Sequence, residues 1–338
     1  MKSAIIYTLP EELVAQYPAR ERESARMMVL KRESSLIEEG TFRDITEYFR
    51  KGDVLLLNDS LVIPARLRGR KASGGKVEVF LLKKTGPMKW SVLLRGNVRE
   101  GHVCRITKHG REEPYLEVRI NEKKEDGSYE AEFDTDKDEE ILGFGDVPLP
   151  PYIKRETEMD DEVYYQTVYG RKKGSVAAHT AGLHFTRPLL EEIGRKGVRI
   201  LYLTLHIGWS SFKILKTDEG KVGEEFYEIS EETASAVNDA RSGGKRVFAA
   251  GTGTVRALES SLEKGIVRPG SGYTGLFIKP GFRFGAVDAM ITNFHLPGST
   301  HLYLVCGFAG TGLVEKAYRL AVEKRYRFYS YGDAMLIV

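Results

Sequence analysis

The sequence predicts an α/β domain built from both ends of the chain and interrupted by an inserted, antiparallel, barrel-like all-β domain. Three observations carry this. After the stretch 143–155 helical and apolar strand-like runs alternate, while from 64 to about 136 the runs are short, β-rich and separated by turns. The stretch GFGDVPLPPYIKR, 143–155, holds too much proline and glycine for regular structure and marks a boundary. The expected division is 1–63 with 151–338 for the α/β domain and 64–150 for the insert.

DVLLLNDSLVI, 53–63, reads as an apolar strand, a polar Asn58-Asp59-Ser60 turn and a second apolar start. GKVEVFLLKK, KWSVLLRG, GHVCRITKHG, PYLEVRINEK and GSYEAEFD follow, parted by turn signals such as Thr85-Gly86-Pro87 and Glu125-Asp126-Gly127, and their spacing suits a small antiparallel barrel or sandwich. LLEEIGRKG, 189–197, is helical, with Gly197 suited to the position past its end. VRILYLTLHIG, 198–208, is a near-continuous β run, as a strand covered on both faces requires. SEETASAVNDARSGG, 230–244, opens with Ser230 as N-cap and Thr233 in the first turn. KRVFAAG is a strand, TVRALESSLEKG a helix, and LVEKAYRLAVEKRY, 313–326, a further helix.

The 338 residues are 41% hydrophobic and 29% charged, which excludes a disordered chain. No apolar run approaches the ~20 residues that span a bilayer, and residues 1–25 lack a signal-peptide core, so a cytoplasmic protein is expected. Cys104 and Cys306 form neither a CxxC nor a zinc spacing and read as buried reduced thiols. The net charge of +3 hides an asymmetry. From Arg66 to Arg111 there are 13 basic against two acidic side chains, and from Glu112 to Asp146 four against 14. The basic half, including Arg66, Arg68, Arg70, Lys71 and Lys76, is an electrostatic footprint for a polyanion, or else a set of solvated strand faces.

GSVAAHTAGLHFT, 174–186, combines two histidines with small residues and no formal charge. His179 and His184 stand five apart with no carboxylate between them, unlike a helical zinc pair, and Ser175 lacks the G-x-S-x-G elbow of a nucleophile. His206 ends an apolar strand and His295 precedes a Pro-Gly turn, and ligands gather at the carboxyl ends of strands in such sheets. His184, His206 and His295 can therefore serve as proton acceptors or as packed core histidines. In AAGTGT, 249–254, Gly251 and Gly253 bare backbone amides at a helix start, with Arg256 one turn in; an anion seat and a plain strand-to-helix connection both fit. YRFYSYGDAML, 326–336, crowds aromatics around Asp333, with Phe328 assigned to the core and Tyr331 open between core and base stacking.

Together GDVLLLNDSLVIPARLRGRK, GKVEVFLL, GDVPLPPYIKR, YYQTVYG, GSVAAHTAGLHFT, LHIG, GTGTVRALE, NFHLPGST and YRFYSYGDAMLI resemble, in order and over almost the whole chain, the S-adenosylmethionine:tRNA ribosyltransferase-isomerases of queuosine biosynthesis. That resemblance implies transfer of the ribosyl part of S-adenosylmethionine onto 7-aminomethyl-7-deazaguanine at the tRNA wobble position. The products are epoxyqueuosine, adenine and methionine. The sulfonium acidifies the adjacent C5′ protons, so a histidine suffices as base, and no metal or redox cofactor is called for. On this resemblance His184 is the base or orders it, with His206 and His295 as competitors. Arg256 with Thr252 and Thr254 would hold the methionine carboxylate; Asp59, Thr180, Asn293 and Asp333 complete the matching polar set, Asp59 and Asn293 toward adenine or ribose. The basic strand residues would contact tRNA phosphates, and the enzyme is expected to act as a monomer.

The chain also departs from the family pattern. His179 stands where proline is expected, which argues against an essential role; Leu61 replaces a basic residue, Trp209-Ser210-Ser211 replaces AGT, and Gly298 replaces a lysine. Two rivals remain at this point: an S-adenosylmethionine-dependent RNA methyltransferase, against which the missing acid after the 251–253 loop speaks, and a non-catalytic tRNA-binding protein.

Overall fold

The computed structural model describes residues 5, 7–108, 113–209 and 222–338, so Ser210 and Ser211 lie outside the described residues. Among these, nine strands form one mixed sheet. Their order is Gly270–Thr274, Glu225–Ile229, Arg199–Leu205, Val54–Asn58, Val247–Ala250, Ala289–Asn293, Ala334–Ile337, Arg26–Lys31 and Leu36–Thr41. The four strands from Arg199–Leu205 to Ala289–Asn293 run parallel, so their carboxyl ends share one edge. Every residue of Val54–Asn58, Val247–Ala250 and Ala289–Asn293 is buried, because helices cover both faces.

Alternation along the strands splits the apolar side chains between two layers. Val54 and Leu56 pack with the helices Glu231–Ser242, Thr252–Ser260, Thr300–Ala309 and Thr311–Glu323, whereas Leu55 and Leu57 pack with the helix Arg187–Arg195 and the 3-10 turn Phe42–Tyr48. Ser230 caps its helix by accepting the Thr233 amide at 3.2 Å, and Gly197 takes the left-handed conformation at φ +83°.

Three expectations change. The helix begun by TVRALES stops at Ser260, because Lys264 and Gly265 both adopt positive φ and turn Leu262–Glu263 back onto Ile266–Val267 as a hairpin. The strand Arg199–Leu205 starts exposed at Arg199 and is continuously buried only from Leu203. Tyr331 is buried at 3% exposure, so it is not free to stack an RNA base.

The strands Arg66–Lys71, Lys76–Gly86, Lys89–Arg95, Val103–Thr107, Tyr115–Lys123 and Tyr129–Phe133 are joined antiparallel throughout. Pairing of Arg66–Lys71 with Val103–Thr107 closes them into a six-stranded barrel around Leu67, Val79, Val92, Cys104, Val118 and Ala131. Gly69 sits on this seam, where a Cβ would fall on the Arg105 carbonyl oxygen. Cys104 and Cys306 are buried free thiols. Among the described residues no helix is long and apolar enough to cross a membrane.

Candidate active site

Beyond the carboxyl ends of the parallel strands lies a cavity of about 380 Å³, within the ~300–1,000 Å³ usual for small-molecule sites. Its floor is made by the residues that follow those strands: Ile207, Gly251 to Gly253, and Asn293 to Leu296. The segment 177–181 forms one wall; Tyr152, Tyr165 and Tyr329 supply aromatic surface. Small residues let the wall come close. A Cβ on Gly174 would stand 2.6 Å from His206 Cε1, and one on Gly182 would fall on the Tyr169 hydroxyl. The same segment is tied to three cores: Val176 joins the barrel, Ala178 and Leu183 join Val147, Leu149 and Tyr331, and Ala181 and Phe185 join the layer under the sheet.

The sequence-predicted histidines separate. His295 lines the cavity; its Nε2 is 2.7 Å from Thr292 Oγ1, its amide donates to Tyr318 Oη at 2.9 Å, and its carbonyl accepts from the Tyr7 hydroxyl. Its ring stacks on His301 at 5.2 Å, and burial, aided by His301, pushes it well below the usual 6.5. His206 lies outside the lining. It bonds Ser60 Oγ through Nδ1 at 2.7 Å, stacks on Phe226, and is held low by burial. His184 also lies outside, in a crevice with Arg22 and Tyr331, with its ring 4.9 Å from that of Phe42. Burial pushes it down to about 4, against the Asn293 side chain, which favours the protonated ring.

Two cavity histidines escape sequence reasoning. His301 follows the Ser299 N-cap and was not singled out; burial and the nearby Arg256 lower it to about 4. His179, set aside for replacing proline, lies in the wall with its Nδ1 3.0 Å from Asn58 Nδ2. The signal that could have found His301 is its place two residues past the NFHLPGS turn, at the start of a helix that follows a strand end.

Thr180, Thr252 and Asn293 line the cavity. Thr254 does not: its hydroxyl donates to the carbonyl of Ala250, the last strand residue before the helix, at 2.6 Å. Arg256 is turned away, its guanidinium spent on Glu225 and on the carbonyls of Leu276 at 3.0 Å and Thr274 at 3.1 Å. Asp59 accepts from Thr204 Oγ1 at 2.7 Å outside the lining. Asp333 accepts the amides of Arg26 at 3.0 Å and Arg327 at 2.7 Å, a joint between chain ends rather than a cavity wall. Among the described residues no group of three or more His, Cys, Asp or Glu is placed to hold a metal ion.

On the barrel, Arg66 donates to the Leu149 carbonyl and Arg68 pairs with Asp146 and Glu156. Arg70 and Lys71 bond the carbonyls of Gly74 and Asn97. The register sets Arg70 directly opposite Lys76 on one side and Arg105 on the other, an exposed cationic row without an ion pair among the described residues.

The model of a family described as queuosine biosynthesis protein matches residues 2–337. The chain is 45% identical over 337 residues to the S-adenosylmethionine:tRNA ribosyltransferase-isomerase of Aquifex aeolicus, covering 98% of each. It is 46% identical to that of Caldanaerobacter subterraneus subsp. tengcongensis, over 100% of this chain and 99% of the relative. The crystal structure of the S-adenosylmethionine tRNA ribosyltransferase from Thermotoga maritima superposes with a TM-score of 0.57 at 37% identity, covering 99% of this chain and 100% of that one. A six-stranded barrel joined to a mixed sheet, a cavity at the strand ends and agreement along the full length place this chain in the queuosine biosynthesis family of S-adenosylmethionine:tRNA ribosyltransferase-isomerases.

Proposed function

We propose that the protein transfers and isomerises the ribosyl moiety of S-adenosylmethionine onto 7-aminomethyl-7-deazaguanine at the tRNA wobble position, giving epoxyqueuosine and releasing adenine and methionine. The observation that carries this is full-length similarity to curated enzymes of that name. S-adenosylmethionine supplies the ribose and, through its sulfonium, an acidic C5′ position. The cavity fits such a molecule: the aromatic surface of Tyr152 and Tyr329 suits a purine, and Thr180, Thr252, Asn293, His295 and His301 supply polar groups.

Within it, His295 is the proton acceptor, since of His184, His206 and His295 it alone stands among the lining residues. His184 orders the site from outside the lining, and Asn293, whose Nδ2 donates to the Tyr329 carbonyl at 2.9 Å while its Oδ1 has no partner among the described residues, turns that oxygen to adenine or ribose. The tRNA lies across the cationic row on the barrel, and the enzyme works as a cytoplasmic monomer. Mass spectrometry of the anticodon loop, after incubation with S-adenosylmethionine and tRNA bearing the aminomethyl base, tests the reading. Epoxyqueuosine with stoichiometric adenine and methionine is expected; S-adenosylhomocysteine in their place would mean methyl transfer and overturn it.

A further inference from the structure

Asn58 fixes the tautomer of His179. The Asn58 side-chain oxygen accepts two backbone amides, Ser60 at 3.0 Å and Leu205 at 3.1 Å, so its orientation is unambiguous. Its Nδ2 therefore donates, to the Leu205 carbonyl at 2.9 Å and to His179 Nδ1 at 3.0 Å. An Nδ1 that accepts carries no proton, so the proton of the neutral ring sits on Nε2. Burial keeps the ring neutral, pushing it down to about 3. His179 is 5% exposed, and its Nε2 has no hydrogen-bond partner, although the residue lines the cavity. A buried donor left unmade is costly, which points to a ligand acceptor.

The same ring lies beside the start of the helix Thr252–Ser260: a Cβ on Gly253 would stand 3.9 Å from both His179 Cε1 and Nδ1. Gly251 at the N-cap has no side chain with which to cap, and the amides of Thr252, Gly253 and Thr254 find no partner among the described residues. Thr252 and Gly253 both line the cavity. Uncapped amides at the positive end of a helix accept an anion.

We propose that His179 Nε2–H and the first-turn amides of Thr252 and Gly253 form a seat for the amino-acid carboxylate of S-adenosylmethionine, the part expected of Arg256 from the sequence. This rests on the function proposed above. It assigns His179 the role of a fixed hydrogen-bond donor, not a base. The arrangement favours a carboxylate over a neutral acceptor because one donor side chain and two backbone amides line the same cavity at the positive end of the helix.

Calorimetric titration of S-adenosylmethionine and of its decarboxylated analogue into wild type, His179→Ala and His179→Phe tests this. Both variants should weaken S-adenosylmethionine roughly ten-fold, the value of one hydrogen bond to a charged acceptor, and leave the analogue's affinity unchanged. The Phe variant keeps the ring volume, so it carries the comparison if the Ala variant does not fold, and His179→Gln, which retains a donor, should recover part of the loss. Equal weakening of both ligands, or full affinity in His179→Phe, would overturn the carboxylate seat while leaving ribosyl transfer standing. Wild type with no affinity for S-adenosylmethionine would overturn both. Independently, the 15N spectrum of histidine-labelled protein should find His179 protonated at Nε2; protonation at Nδ1 would refute the assignment.

Discussion

At Arg256, burial decides between two uses of a cation. Its side chain and that of Glu225 are 9% and 1% exposed, and the guanidinium is satisfied by Glu225 and two carbonyls. Removing one member of such a pair strands the other charge, so Arg256→Ala should lower stability by about 3–5 kcal/mol in denaturant unfolding. Wild-type stability with lost cofactor affinity would instead restore Arg256 as a ligand clamp. The histidines separate in the same way. His295→Ala should cut single-turnover rate by ~10²–10⁴-fold, the usual worth of a general base, with a much smaller fall for His184→Ala; the reverse ranking would move the base to His184. The motif residues Asp59, Arg256 and Asp333 were legible as polar positions, yet their partners Thr204, Glu225 and Arg26 are far away in sequence, so their structural use was not. The hydrogen bond of His179 to Asn58, 121 residues distant, was hidden for the same reason.

The barrel is the element most legible in the sequence, because each strand alternates and pairs with near neighbours. Its closure was not, since that depends on Gly69 meeting Ile106 across the seam with no Cβ in the way. Gly69→Ala forces a Cβ into the Arg105 carbonyl and should cost about 1–3 kcal/mol by overpacking, read as a lowered unfolding midpoint. The strands Arg26–Lys31 and Ala334–Ile337 were equally hidden, as they pair across some 300 positions of chain. The row Arg105, Arg70 and Lys76 sets like charges directly opposite one another, with Glu117 next in line beyond Arg105; like charges so placed weaken a sheet, and a polyanion over Arg70 and Lys76 would relieve them. Arg70→Glu with Lys76→Glu should therefore weaken tRNA binding and flatten its salt dependence by about two counterions, while affinity for S-adenosylmethionine stays as in wild type. An unchanged salt slope would place the tRNA elsewhere.

Across the whole molecule, the buried histidines set the response to acid. His179 is held at about 3, His184 and His301 at about 4, and His295 well below 6.5, in each case chiefly by burial. His295 and His301 keep an edge toward the cavity, yet the surrounding protein desolvates them. Each folded value lies below the unfolded one of about 6.5, so between pH 6.5 and 4 the unfolded chain binds more protons than the native protein. Stability then rises with pH through this window and is lost as pH falls, by up to ~1.4 kcal/mol per unit for each histidine. Asp333 and Glu259, pushed upward by burial, bind protons in the native state and offset part of the loss toward pH 4. Unfolding free energy should thus fall by several kcal/mol from pH 7 to pH 5, and the slope should drop by about one proton in His179→Phe. Catalysis should follow a different course. A base held low remains neutral well below pH 6.5, so the acid limb of kcat/KM should appear only where the fold itself begins to fail, and activity should return in full on neutralisation. A limb near pH 6.5 in protein that is still folded would mean that an unshifted histidine carries the proton, removing His295 from that role.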